Sequence, residues 1–134
     1  MTLTETPVER PRRLPPGSGA AGPTRRSWAM VPIGLVIWLL VDTLLFSLLK
    51  GPLGIREGEV LLMARSVAGW FAEVGSLLVV LAAPVAGVVF GATALRRGGH
   101  GAAVAGLVVN AAGCLLALYM FIDDIHMTYS PGWW

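Results

Sequence analysis

Three long apolar runs dominate this sequence and leave few folds open to it. Residues 28–49, 74–95 and 101–122 are rich in Leu, Val, Ala and Gly and nearly free of charge. As a helix, each run would rise about 33 Å, enough to cross a hydrocarbon core of about 30 Å. Charged residues make up only 13% of the chain, and its mean hydropathy is +0.71, whereas soluble domains carry about 25% charged residues. The sequence therefore predicts an all-α integral membrane protein with three transmembrane helices.

The first apolar run could also be the core of a signal peptide, because TRRSWAM at 24–30 has the paired arginines of a twin-arginine signal. Signal cores are only about 7 to 15 residues long, and no small-x-small cleavage site follows this run. We therefore expect a retained span, with Trp28 at the membrane interface.

Residues 1–27 form a Pro- and Arg-rich tail with almost no large apolar side chain. Such a segment cannot bury enough surface to offset its ordering entropy, so we expect it to be disordered when alone and to order only on a partner. The arginines expected to contact that partner are Arg12, Arg13, Arg25 and Arg26.

The remaining segments connect the spans. Residues 50–73 are predicted to form a loop followed by an amphipathic helix in the interface, or an outer extension of the second span. Residues 96–100 are predicted to be a tight turn and 123–134 a short polar tail, while Pro84 should bend the second span.

Positive charge predicts the orientation of the spans. With the N-terminus inside, seven of the ten basic residues lie on the cytoplasmic side, whereas Lys50, Arg56 and Arg65 lie outside among acidic residues. Short loops rich in Arg and Lys stay in the cytoplasm. We therefore expect an N-in, C-out protein whose 96–100 turn is cytoplasmic.

Small residues recur at helical spacing on both helices that flank this turn. Membrane helices associate through close packing of small residues and through interhelical hydrogen bonds. An antiparallel hairpin would place Gly91 near Gly106 and Gly87 near Asn110, and Asn110 should bond to the second or the first helix. The predicted packing positions are Ala83, Gly87, Gly91, Gly106, Asn110 and Gly113.

The stretch GVVFGATALRRGGHGAAVAGLVVNAAG resembles the helical hairpin of a domain of unknown function found in small actinobacterial membrane proteins. Those hairpins also pass from a small-residue helix through "ALR" and a Gly/Arg turn into an "AxAGLVL"-like helix. The resemblance covers about residues 77–118 and implies a fold element but no chemistry. Heavy use of Ala, Gly, Val, Arg and Pro is typical of a high-GC bacterium, which favours a bacterial plasma membrane.

Asp42 is the polar residue that most needs an explanation, because it interrupts the first apolar run. A charge near a helix centre costs about 2.5 to 3.5 kcal/mol on insertion scales and rarely faces lipid. Asp42 could belong to a proton or cation relay, it could make a structural contact within its helix or with another subunit, or it could snorkel towards the outer interface. We favour the contact with another subunit, because no second ionisable group lies at a similar depth.

Metal binding is a separate hypothesis for the tail of the chain. Its potential copper or zinc ligands are Asp123, Asp124, His126 and Met127. Their spacing matches no recognised metal site, so we expect a solvated acidic membrane exit and no cofactor. Cys114 lies in an apolar run and is expected to be a buried packing residue.

No catalytic motif is present: GxSxG, HExxH, CxxC and the P-loop are all missing. The small net charge of +2 gives no reason to expect nucleic-acid binding. The sequence thus favours a non-enzymatic accessory, scaffolding or assembly subunit of a larger plasma-membrane complex, for which a membrane-bound oxidoreductase is one candidate. The alternative is a metal- or ion-handling protein that uses the DDIHM tail or Asp42, and a free-standing homo-oligomer is a third hypothesis.

Overall fold

The computed structural model describes residues 19–53 and 67–129 and contains three helices. They are α1 (Ala21–Leu53), α2 (Val67–Arg96) and α3 (Ala102–Tyr129). By length and composition, all three are long and apolar enough to cross a membrane. The prediction of an all-α protein with three candidate membrane spans is therefore confirmed.

The interior of the bundle is built from small side chains. Among the described residues, the buried apolar side chains are Pro84 and the alanines Ala20, Ala83, Ala94 and Ala103, and glycines 69, 87, 91 and 106 are buried as well. Most large apolar side chains point outward instead; Leu48, Phe71 and Leu115, for example, are each at least two-thirds exposed. This inside-out distribution suits a lipid-facing surface, because helices that meet in lipid gain little from burying leucine and more from close backbone approach.

A glycine-rich turn reverses the chain between α2 and α3. Gly98 has a φ of 83°, and its N–H donates to the Leu95 carbonyl while that of Gly99 donates to the Ala94 carbonyl. These two bonds form a Schellman cap, which needs a left-handed residue that glycine supplies without strain. Ala20 also approaches Gly99, so the start of α1 meets this turn. We call this end of the bundle the turn end and the opposite end, near Trp70 and Tyr129, the far end.

Helix α1 begins earlier than the sequence predicts, at Ala21 rather than at residue 28. Ala20 caps it, because its carbonyl accepts both the N–H and the hydroxyl of Thr24. Pro23 is compatible with this first turn, where its missing N–H would have had no helical partner. Residues 21–27, predicted as tail, are therefore helical, whereas the tail residues 1–18 lie outside the described residues.

Helix α2 also begins earlier than predicted, because it runs without a break from Val67. Residues 67–73 are helical and continuous with the predicted second span, and residues 54–66 of the predicted loop and amphipathic segment lie outside the described part. At the other end of the sequence, residues 123–129 continue α3, so the predicted polar tail is helical as far as Tyr129.

Candidate functional site

A hydrogen-bonded junction ties the three helices together about two turns from the turn end. Ser27 of α1 donates through Oγ to the main-chain oxygen of Gly87 on α2, at 2.8 Å. Asn110 of α3 donates through Nδ2 to the main-chain oxygens of Ser27 at 3.0 Å and Gly106 at 2.7 Å. Ser27 and Asn110 are 0% and 2% exposed, respectively. We call Ser27, Gly87 and Asn110 the polar junction; with one residue from each helix, it fixes how the helices meet.

Glycines make the junction possible by letting side chains approach the backbone. A Cβ on Gly87 would overlap the Asn110 amide, and one on Gly106 would lie 2.9 Å from Ser27 Oγ. A Cβ on Gly91 would come within 2.8 Å of the Leu107 Cβ. Gly87 thus packs against Asn110, as expected. Gly91 packs against Leu107, the residue that follows its expected neighbour Gly106.

Trp28 lies next to the polar junction, on the side that faces the turn end. Its indole Nε1 donates to the main-chain oxygen of Ala102 at 3.0 Å, a carbonyl in the first turn of α3. Trp28 itself is 41% exposed, which would suit a membrane interface, where tryptophan is enriched.

Beyond the junction, α1 and α3 leave an apolar groove that is floored by α2. Its volume is about 300 Å³, and among the described residues that line it the Asn110 amide and the Trp38 indole carry polar side-chain atoms. Pro84 forms the floor: Cβ atoms on Gly34 of α1 and Gly113 of α3 would lie 3.7 and 3.5 Å from its ring atoms. The groove offers space for apolar groups.

A second set of polar residues joins α2 to α3 at the far end. Trp70 Nε1 donates to the Tyr129 hydroxyl at 3.0 Å, and the two rings stack with centroids 6.1 Å apart. One turn inward, Glu73 of α2 is buried and Asp124 of α3 is half-buried, and the two carboxyl groups are near enough to interact electrostatically. We call these four residues the far-end cluster. Glu73 is buried in it although its side chain is ionisable.

The candidate metal ligands occupy the last two turns of α3 but do not converge. Asp124 is half-buried, whereas His126 and Met127 are exposed. Within residues 19–53 and 67–129, no group of three or more His, Cys, Asp or Glu side chains is placed so that it could hold a metal ion.

The residues predicted to contact a partner are spread along α1. Asp42 is exposed on the outer surface of the bundle and makes no hydrogen bond or ion pair with any described residue. Arg25 and Arg26 are exposed near the turn end, and the Arg26 guanidinium lies 5.9 Å from the centre of the Phe90 ring. Arg12 and Arg13 lie outside the described residues.

Sequence reasoning placed Trp28 at the interface but missed its bond to Ala102, the role of Ser27 and the proximity of Glu73 to Asp124. Ser27 was assigned to a polar tail because hydropathy changes at residue 28. The carboxyl contact could have been found from the helix register. Glu73 precedes Gly87 by 14 residues and Asp124 follows Asn110 by 14. Because α2 and α3 are antiparallel, about four turns back along α2 and about four turns forward along α3 lead to the same end of the hairpin, where the same two helix faces meet again.

The chain matches no protein-family model, and neither a curated protein nor a solved structure matches it significantly.

Proposed function

We propose that this protein is a non-catalytic accessory or assembly subunit of a larger complex in a bacterial plasma membrane, with its N-terminus in the cytoplasm. The observation that carries the proposal is Asp42, an exposed carboxylate on an apolar helix with no partner among the described residues. Its neighbours Leu39, Leu40 and Leu44 are each 52% exposed, so this surface of α1 faces lipid in the isolated chain. A carboxylate there is costly unless another polypeptide supplies a donor.

The tryptophans support a spanning arrangement of the bundle. Trp28 lies against Ala102 and Gly106 at one level, and Trp70 lies against Tyr129 at the other. Gly106 and Tyr129 are 23 residues apart on α3, which corresponds to about 35 Å of helix. This separation suits a hydrocarbon core of about 30 Å with an aromatic belt at each interface.

The distribution of charged residues supports the orientation of the bundle in the membrane. Arg25, Arg26, Arg96 and Arg97 are all exposed at or near the turn end, whereas Glu73, Asp123 and Asp124 lie towards the far end. Because Arg-rich short loops stay in the cytoplasm, the turn end is the cytoplasmic side and the far end is the outer side.

Co-purification tests the proposal directly. The full chain is extracted from its native membrane in a mild detergent, and whatever co-purifies is identified and quantified by mass spectrometry. We expect one or more larger membrane proteins in fixed proportion to this chain. Recovery of the chain alone or only as a homo-oligomer would contradict the subunit proposal, and stoichiometric copper or zinc without a partner would favour metal handling instead.

A further inference from the structure

The apolar groove between α1 and α3 opens onto the outer surface of the bundle. Leu35 of α1 and Leu116 of α3 line it and are 55% and 60% exposed, respectively. Along α3, its lining extends from Val109 to Met120, which corresponds to about 17 Å of helix. The groove is therefore long enough to receive the side chains of a further helix over about three turns.

Asp42 continues the face of α1 that lines the groove. Val31, Leu35 and Trp38 all line it, and Asp42 follows Trp38 by four residues. Such spacings of three and four residues keep side chains on one face of a helix. Asp42 is exposed and has no partner among the described residues. A helix that lay along the groove and continued one turn towards the far end would therefore meet this carboxylate.

Trp38 adds a second polar atom to the same face. Its indole Nε1 donates to no described residue, and the side chain is 41% exposed. Trp38 follows Trp28 by ten residues, which is about 15 Å of helix, or half of a hydrocarbon core of about 30 Å. Buried tryptophan N–H groups usually find an acceptor. The occupant of the groove should therefore bring polar groups into the membrane interior.

These polar groups decide which occupant fits the groove. A lipid acyl chain fills an apolar groove but brings neither a donor to Asp42 nor an acceptor to Trp38. A second copy of this chain has neither Lys nor Arg within residues 28–49, 74–95 and 101–122, so its apolar runs hold no cation for Asp42. A helix of a different protein can supply both groups, because ionisable residues within membrane spans pair with one another.

We propose that the groove and Asp42 form one docking site for a transmembrane helix of the partner protein, and that this helix carries a Lys or Arg opposite Asp42. The inference rests on the proposed function, because it needs a partner. The helix packs its apolar side chains between Leu35 and Leu116, which is the helix-in-groove mode of recognition. Gly113 and Ala117, which are half-buried in the lining, let this helix approach closely.

Photo-cross-linking in the native membrane tests whether the partner lies on this face. A photoreactive residue replaces Leu35 or Leu116, one at a time, in the full chain. The matched controls are the neighbouring positions Val36 and Leu115, which are 54% and 68% exposed and are not among the described residues that line the groove. Adducts are identified by mass spectrometry, and each cross-linked peptide is sequenced.

We expect Leu35 and Leu116 to give adducts with the same helix of one membrane protein, at yields several-fold above those from Val36 and Leu115. That helix should contain a Lys or Arg. Three results would overturn the docking site: equal yields from all four positions, adducts only with lipid or with this chain itself, or a cross-linked helix without Lys or Arg. The subunit proposal would survive each of them if a partner still co-purified with the parent protein, whereas absence of any partner would defeat both proposals.

Two pairs of variants test the groove and the carboxylate separately. Ala117→Leu narrows the groove, whereas Ala112→Leu adds the same side chain at an exposed position outside its described lining. We expect Ala117→Leu to lower the molar ratio of partner to this chain several-fold and Ala112→Leu to leave it unchanged. Asp42→Glu should retain the partner and Asp42→Asn should lose most of it, because a Lys or Arg needs a charge to pair with. Equal ratios within either pair would overturn the docking site, and melting temperatures in detergent show whether each bundle is intact.

Discussion

Asn110 joins α3 to α1 through the backbone of Ser27, since its Nδ2 donates to the Ser27 main-chain oxygen at 3.0 Å across 83 residues of sequence. The acceptor is a main-chain atom, so a substitution of the Ser27 side chain leaves it in place. The Ser27 hydroxyl makes a separate bond to Gly87. The Asn110 amide also lies 3.5 Å from the Ser27 hydroxyl, so Ser27→Ala removes the hydroxyl contacts while Asn110→Ala removes every bond of the amide.

The first prediction concerns these two links. Asn110→Ala should lower the stability of the bundle by about 0.6 to 1.7 kcal/mol, the range for interhelical hydrogen bonds in membranes. Ser27→Ala should cost less stability, because the Gly87 carbonyl that loses the Ser27 hydroxyl lies within α2 and keeps its helical hydrogen bond. Reversible unfolding in detergent measures both changes. An Asn110→Ala protein as stable as the parent would show that the junction does not hold α1 in place.

The second prediction separates tight glycines from roomy ones. Gly87→Ala should destabilise the hairpin by roughly 1 to 3 kcal/mol, the usual cost of overpacking, because its Cβ would overlap the Asn110 amide. Gly113→Ala should be tolerated, since its Cβ would meet only the Pro84 Cβ, at 3.5 Å, and Gly75→Ala has open space. Melting temperatures of the three variants in one detergent provide the comparison. Equal effects at positions 87 and 75 would mean that α2 does not pack on α3 in this register.

Much of the fold could be predicted from the sequence because hydropathy and small-residue spacing are local signals. They located the three apolar helices, the glycine turn and the faces on which Gly87 and Asn110 meet. They failed where tertiary contact decides the outcome. The charges of Arg25 and Arg26 lower the hydropathy at the start of α1, so a hydropathy scale places the start too late. Ser27 bonds to Gly87 only because α1 packs against α2. The proximity of Glu73 to Asp124 follows from the register of Gly87 against Asn110 only once α2 and α3 are known to extend as helices to these positions.

The third prediction is the orientation of the bundle in the cell. In a Cys114→Ala background, a cysteine at the exposed position His100 should be protected from a membrane-impermeant thiol reagent in intact cells and react after lysis. A cysteine at the exposed position Met127 should react in intact cells. We expect this pattern because the arginines near the turn end should keep that end in the cytoplasm. The reverse labelling at either site would contradict the N-in, C-out arrangement.

The fourth prediction concerns the N-terminal segment. Deleting residues 2–18 should leave insertion and stability unchanged but weaken association with a partner, because Arg12 and Arg13 are lost. Deleting residues 2–24 should also destabilise the bundle, because Ala20 packs at the turn end and caps α1. Thermal stability and quantitative co-purification of both variants distinguish the two effects. If the 2–18 deletion variant co-purified with partners at the level of the parent protein, this segment would have no part in assembly.

The most direct test of the subunit proposal compares Asp42→Leu with Thr43→Leu, its exposed and uncharged neighbour on α1. Both variants should insert and accumulate normally, because each replaces a polar side chain with an apolar one in a lipid-facing position. Asp42→Leu should dissociate from the complex during mild detergent purification, since the donor of the partner is left unpaired in a dry site, whereas Thr43→Leu should remain bound. The measurement is the molar ratio of partner to this chain, determined by quantitative mass spectrometry. A selective loss at Asp42 is the result we predict, and wild-type ratios for both variants would contradict the proposal that Asp42 docks this protein into a larger complex.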